Sequence, residues 1–310
     1  VKIAILGIIA YYIYLSLSRQ RQDFLSVWQY WQKADWLSLP AVLLLGLTPV
    51  NWLLEARKWQ ILVRRIEPLS LGEALRGVLS GLSMGFALPA QLGDTAGRLL
   101  SLRSDQRFQG IGASLVSGGM QFYAALLFGT VALISKPDIF QENFQVTYRA
   151  LLASLLVCLF LGGITAMNRH RLAQSGISWL KRWEKYWSVA AYYSSKELWQ
   201  ALGTAMLRYL TFSLQFYLSL RLFEVILPAL DMAAGIGLVY LGKTIIPAFN
   251  LLSDLGIREA TSLWVFGQWD VRASQVLSAT LTLWLVNILT PVLAGFFLIW
   301  KIKIGQRRDP

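Results

Sequence analysis

Ala87-Leu88-Pro89-Ala90-Gln91-Leu92-Gly93-Asp94-Thr95-Ala96-Gly97-Arg98 sets a proline, two glycines, an acid and an arginine inside a largely apolar chain. In a soluble protein this would read as a loop. Here the flanking sequence is of membrane grade, so it reads as broken backbone at or near membrane depth. Such backbone is tolerated only where it is buried in protein or lines a wet cavity.

The surroundings decide that reading. The chain has 310 residues, of which 55% are hydrophobic and only 15% charged. A soluble domain carries roughly a quarter charged residues. Several apolar runs are long enough to cross a bilayer, so the expected class is an all-α polytopic integral membrane protein. The net charge of +12 fits positive-inside bias and anchoring to anionic headgroups, or a basic cavity for an anionic substrate. The basic residues are dispersed over membrane-flanking loops, so nucleic acid is not an expected partner. Cys158 is the sole cysteine; it rules out an intrachain disulfide and is expected to pack. The chain opens on Val1, and residues 2–17 are expected to form a first span rather than a signal peptide, because no small-residue cleavage site follows.

Further spans are expected from about 37, and at 111–134, 148–167, 197–220 and 274–300, making about six in all. Two aromatic and basic stretches, 18–35 and 168–196, suit helices at headgroup level. The second span ends in Asn51-Trp52-Leu53-Leu54-Glu55-Ala56-Arg57-Lys58-Trp59, polar enough that it must leave the membrane or line a cavity. Ser114, Gly118 and Gly119 are expected to let a neighbouring helix approach closely.

The opening pattern returns. Ile246-Pro247-Ala248-Phe249-Asn250-Leu251-Leu252-Ser253-Asp254-Leu255-Gly256-Ile257-Arg258-Glu259 follows a glycine-spotted apolar run containing Lys243. Its proline, aspartate and arginine keep a near-constant offset from Pro89, Asp94 and Arg98. The expectation is a single membrane domain over 1–310 with pseudo-repeats at about 1–135 and 148–304. Interrupted segments at matching places in two halves point to a transporter-like binding site.

Loop charge tests the threading. If every segment crosses, lysines and arginines divide almost evenly between the sides. If the two proline-broken segments are re-entrant, one side holds more than twice as many as the other. By the positive-inside rule that side is cytoplasmic, with both termini on it. The two broken segments then enter from opposite faces, as inverted copies, and their freed helix ends could present N–H groups to an anion.

Each charge at the centre of a spanning helix costs roughly 2.5–3.5 kcal/mol on insertion scales. Arg98 and Arg258 are therefore candidates for holding a phosphate or similar anion, which the planar guanidinium fork fits. Asp94, Glu55, Glu259 and Asp254 are candidate counter-charges or proton carriers, with Arg57 and Lys243 completing the lipid-headgroup set; for Asp94 and Glu259, pairing that only holds the broken segments in place is an equal expectation. For Arg76, Arg208 and Lys243, snorkelling or structural pairing is an equal expectation. No Cys/His cluster, nucleophile pair or Walker-type loop is present in the sequence, so neither a metal, a cofactor nor an enzyme activity is expected, a carboxylate-based membrane enzyme acting on a lipid phosphate standing as a distant third reading.

The stretch Asn51…Glu55-Ala56-Arg57-Lys58-Trp59, the Leu88-Pro89-Ala90-Gln91-Leu92-Gly93-Asp94…Arg98 motif and the late Pro247…Gly256-Ile257-Arg258-Glu259 resemble the lysylphosphatidylglycerol synthase transmembrane family. This is the flippase-like membrane region also found in the multiple peptide resistance factor. The resemblance runs from about residue 35 to 300. Asp94 stands where the family usually has glutamate, Arg98 is shifted by one, Lys58 separates Arg57 from Trp59, and the late motif is stretched. The resemblance implies a prokaryotic inner-membrane protein that moves an anionic phospholipid or polyprenyl-linked lipid between leaflets. The alternative it leaves is a non-catalytic scaffold for a partner enzyme that modifies lipids or assembles glycans. In fused members a separate soluble domain performs aminoacyl transfer; little chain follows the last expected span, so no lysyltransferase activity is expected here.

Overall fold

The computed structural model describes residues 21–88, 90–102, 108–140, 145–174, 189–246 and 251–301. The expected first span, 2–17, lies outside them. All regular elements among the described residues are helical. In order they are α1 (Arg21–Lys33), α2 (Leu39–Val63), α3 (Leu71–Ala87), α4 (Ala90–Leu99), α5 (Gln109–Ser135), α6 (Gln145–Met167), the short α7 (Arg169–Gln174) and α8 (Val189–Tyr192), α9 (Ser195–Leu222), α10 (Ala229–Ile245), α11 (Leu251–Gly267), α12 (Ala273–Trp284) and α13 (Thr290–Lys301). A π turn, Leu285–Leu289, joins α12 to α13 in one run.

Among the described residues, four helices are long and apolar enough to cross a membrane: α2, α5, α6 and the Ala273–Leu298 run. α9 has 28 residues, matching the expected 197–220 span in length, but its polar residues keep it out of that set. The reason lies in what it carries inward, described below.

Local sequence accounts for the helix ends. Ser70 and Glu73 form a capping box at the start of α3: Glu73 N donates to Ser70 Oγ at 3.2 Å, and Ser70 N donates to Glu73 Oε2 at 2.9 Å. Ser194 and Glu197 repeat the arrangement at the start of α9. α3 stops at Leu88 and α10 at Ile246, both extended (ψ 169° and 115°). Each precedes a proline, whose ring disfavours helical backbone in the residue before it.

α3 and α4 form a tight antiparallel hairpin with glycine on both sides of the seam. Gly97 faces Gly81, and Gly93 faces Gly85, so closely that a Cβ on Gly97 would stand 2.5 Å from Gly81 Cα. α10 and α11 form the second hairpin, where Gly242 meets the Thr261 side chain and Gly235 the Phe266 ring.

The halves of the chain exchange partners. α2 and α9 run antiparallel, with Gln215 donating to Thr48, Arg208 against Glu55, and Arg65 against Glu197. α3 packs on α13, where Ser83 Oγ donates to Val292 O at 2.6 Å and Gly295 abuts the Leu79 carbonyl. α10 packs on α5, with Gly129 against Leu241 and Gly237 against Ala132. Each hairpin thus leans on a long helix from the other half.

Two expectations need correcting. Gly118 and Gly119 have nothing within 4 Å of a built Cβ; they border open space, and α5 takes its close approach at Gly129 instead. Cys158 is exposed on α6 rather than packed. The interfacial stretch 168–196 is described only as α7, α8 and their flanks, residues 175–188 lying outside. α1, expected at headgroup level, is a helix whose Trp31 Nε1 donates to Ser278 O on α12 at 3.4 Å.

A candidate lipid-headgroup cavity

A cavity of about 670 Å³ lies between α2, α5, α9 and the two hairpins. Its ionic wall is built on Glu55, which α2 carries one turn after Asn51. Glu55 Oε1 accepts from Arg98 Nη2 at 2.9 Å. Its other oxygen is 2.9 Å from Lys58 Nζ and 3.2 Å from Arg208 Nε. One carboxylate therefore neutralises cations from α2, α4 and α9. Gln121 on α5 ties two of them together, its Oε1 accepting from Arg208 Nη1 at 3.1 Å and from Lys58 Nζ at 3.5 Å. Buried charges persist only when paired; every charge here is paired, although Glu55 Oε2, Arg98 Nη1 and Arg208 Nε lack a hydrogen-bond partner.

Arg98 is clamped from a second direction. Its Nε donates to Asp94 Oδ2 at 2.9 Å, one helical turn back, and its guanidinium sits 5.5 Å from the centroid of the Trp59 ring. Asp94 Oδ1 has no hydrogen-bond partner. Asp94 lines the cavity, whereas Arg98 stands behind the two carboxylates it binds and forms no part of the wall.

The facing wall comes from the second hairpin. Lys243 and Thr244 on α10 and Arg258 on α11 line it. Arg258 is 3% exposed; its Nη2 lies 3.5 Å from Glu259 Oε1, and its Nε has no hydrogen-bond partner. Between these walls stand aromatic side chains, Trp52, Phe122, Tyr209, Phe212 and Tyr240, with the Arg208 guanidinium 4.8 Å from the Phe212 centroid.

Of the residues singled out from sequence, Glu55, Asp94, Lys243 and Arg258 thus share one cavity. Arg98 and Glu259 stand one step behind it, each paired to a wall residue. Arg57 is elsewhere. It is exposed, donates to Gln60 Oε1 at 2.6 Å, and borders a separate hollow of about 270 Å³ with Arg64 and Gln200. Beside that hollow Arg65 grips Glu197 with two hydrogen bonds of 2.9 and 2.8 Å, which raise the arginine pKa above its ordinary value. The Asp254 side chain lies outside the described residues.

Sequence reasoning passed over Lys58, Gln121 and Asn287, and left Arg208 between a functional role and snorkelling or structural pairing. Lys58 had a signal, three residues beyond Glu55 on one helix face. Arg208 had one too, as the only cation deep in its helix. Gln121 and Asn287 are single amides in apolar runs and had none. Among the described residues, no cluster of His, Cys, Asp or Glu could hold a metal ion.

A family model for the lysylphosphatidylglycerol synthase transmembrane region matches residues 1–295. The chain belongs to this family. No curated protein and no solved structure matches it. As a member of the lysylphosphatidylglycerol synthase transmembrane family, it is an integral membrane protein in lipid handling. The match takes in the Glu55 network, both hairpins and nearly all of the last span.

Proposed function

We propose that this chain holds the anionic headgroup of a lipid in the central cavity and passes it between leaflets. The observation that carries the reading is the cavity's charge. Lys58, Arg98, Arg208, Lys243 and Arg258 stand in or against it, with only Glu55, Asp94 and Glu259 as described carboxylates. Counting the charge of Asp254 as well still leaves cations in excess. A phosphate bound at Arg208 or Arg258, both of which line the cavity, offsets that excess and takes charge-assisted hydrogen bonds from the guanidinium. Arg98 then acts by holding Glu55 and Asp94 in position.

The packing supports two opposed re-entrant hairpins as the path. Carried forward from Ser83 and Val292, the α3–α13 register brings the end of α3 beside the π turn, about halfway along the last span. Phe86 packs there against Trp284, Ile288 and Val292. The α10–α5 register likewise brings Ile245 near the middle of α5. α4 runs antiparallel to α5, with Thr95 Oγ1 3.0 Å from Ser114 Oγ and Leu99 against Gly110. α3 therefore runs with α5 and against α10, so the hairpins approach from opposite sides. Antiparallel α2 and α9, corresponding members of the halves, fit the same inverted repeat. The side holding Arg57, Arg64 and Arg65 is cytoplasmic on this reading, in a prokaryotic inner membrane.

Reconstitution in liposomes with fluorescent lipids tests it. Wild-type protein should exchange an anionic lipid faster than an Arg208→Gln, Arg258→Gln double variant by about tenfold or more, since each charge-assisted hydrogen bond contributes roughly 1.5–3 kcal/mol. Equal rates across anionic lipid classes would overturn the proposal.

A further inference from the structure

The smaller hollow, apart from the central cavity, is lined by Arg57, Gln60 and Arg64 at the end of α2, by Leu69, and by Glu197 and Gln200 of α9. Arg57 and Arg64 stand two turns apart on one helix face. Both are exposed, and among the described residues neither has a carboxylate within ion-pair distance. The carboxylate in the lining is already taken: Glu197 accepts from Arg65 with both oxygens, and from Ser194 N. Arg57 is also ordered in place, because Gln60 accepts from it and donates its Nε2 to Leu69 O at 2.8 Å. The hollow therefore holds two cations in excess.

In water such a pair would only be solvated. Its place on the two helices argues otherwise. The outer face of α2 is apolar and exposed through Val42, Leu45, Val50 and Leu53, and turns basic at Arg57 one turn later. On α9 the face that carries Gln200 continues through Gly203, with nothing within 4 Å of a built Cβ, to the exposed Leu207 and Leu214. Trp199, beside Gln200, is exposed as well, as aromatic residues are at the membrane–water boundary. Both apolar rows thus end at the hollow, where hydrocarbon gives way to headgroups.

We propose that this hollow is a second lipid site, outside the central cavity, which holds the phosphate of an anionic phospholipid at Arg57 or Arg64 while an acyl chain lies along Leu53, Gly203 and Leu207. A zwitterionic headgroup fits it poorly, since its ammonium would add a third cation where Glu197 is already occupied. α2 and α9 belong to different halves of the chain, so the bound lipid spans their seam. The site does not depend on transport; only its leaflet, the cytoplasmic one, rests on the orientation proposed above.

The test uses the full chain in phosphatidylcholine nanodiscs doped with phosphatidic acid that carries a diazirine near the carbonyl end of one acyl chain. After irradiation, cross-linked peptides are mapped. Labelling of residues 53–61 and 200–210 should fall about tenfold in an Arg57→Gln, Arg64→Gln double variant, the scale of two arginines at an anionic surface. Both side chains are exposed, so the variant should melt as the wild type does. Labelling equal to wild type in a folded double variant overturns the site and leaves the central-cavity reading, which lipid exchange tests, untouched. Arg258→Gln should leave this labelling unchanged; an equal loss there would merge the hollow with the central cavity and overturn a second site. A phosphatidylcholine probe with the same diazirine should label the seam weakly, and equal labelling would overturn the charge basis. Excess inorganic phosphate should not compete; if it abolishes labelling, free phosphate rather than lipid is the occupant.

Discussion

The two hairpins share an element order but not a construction. In the first, glycine faces glycine, so α3 and α4 touch backbone to backbone. Its arginine, Arg98, is fixed on three sides by Asp94, Glu55 and Trp59. In the second, glycines meet side chains, Gly242 against Thr261 and Gly235 against Phe266. Its arginine, Arg258, has a longer contact to its own neighbour Glu259, and its Nε, like Nη1 of Arg98, has no hydrogen-bond partner. Matching sequence positions are thus held differently: Arg98 is bound between two carboxylates behind the cavity wall, and Arg258 stands in the wall itself.

The sharpest way to break this contrast is to remove what secures the first hairpin. Glu55→Gln leaves Lys58, Arg98 and Arg208 without their shared carboxylate. Breaking a buried ion pair from one side costs about 3–5 kcal/mol, and here several cations lose a partner together. The expected result is a large drop in melting temperature in detergent and in yield of folded protein. A melt within a degree or two of wild type would mean that the cluster is wet and weakly coupled.

Exchanging the arginines separates their roles. Arg98→Gln should lower the melting temperature strongly, because Asp94 and one oxygen of Glu55 lose their hydrogen-bond donor. Arg258→Gln should lower lipid exchange with a smaller thermal effect, since the bond it gives up is the weaker 3.5 Å contact. The opposite pattern, a stable Arg98 variant and an unfolded Arg258 variant, would reverse the assignment.

How much of this the sequence displays depends on whether the cause is local. The breaks at Leu88 and Ile246 were legible because proline acts on the residue before it. Membrane class followed from composition, and Glu55, Asp94 and Arg98 stood out as charges in apolar surroundings. Their partners did not stand out, because Arg208 reaches Glu55 only after α2 and α9 pair in one particular register. Arg57 and Lys58 are neighbours in sequence, yet one is exposed and the other buried with Glu55; helix rotation decides that. Gly118 and Gly119 illustrate the remaining ambiguity. A small residue admits a neighbouring helix or borders a cavity, and only the distant elements determine which.

The smallest expected effects separate the hairpins by their seams. Gly97→Ala puts a methyl against Gly81 Cα and the Ser80 carbonyl, both at 2.5 Å and both backbone. Neither can rotate aside, so α3 and α4 must part, costing about 1–3 kcal/mol as overpacked cores do. Gly256 lies mid-helix in the second hairpin with nothing within 4 Å of a built Cβ. Gly256→Ala should therefore be neutral or stabilising, by at most the ~1 kcal/mol that separates alanine from glycine in a helix interior. Paired melts of the two variants read the difference directly. A Gly256→Ala variant as destabilised as Gly97→Ala would mean that α11 is packed at Gly256 as tightly as α4 is at Gly97, and the contrast between the two arms would fail.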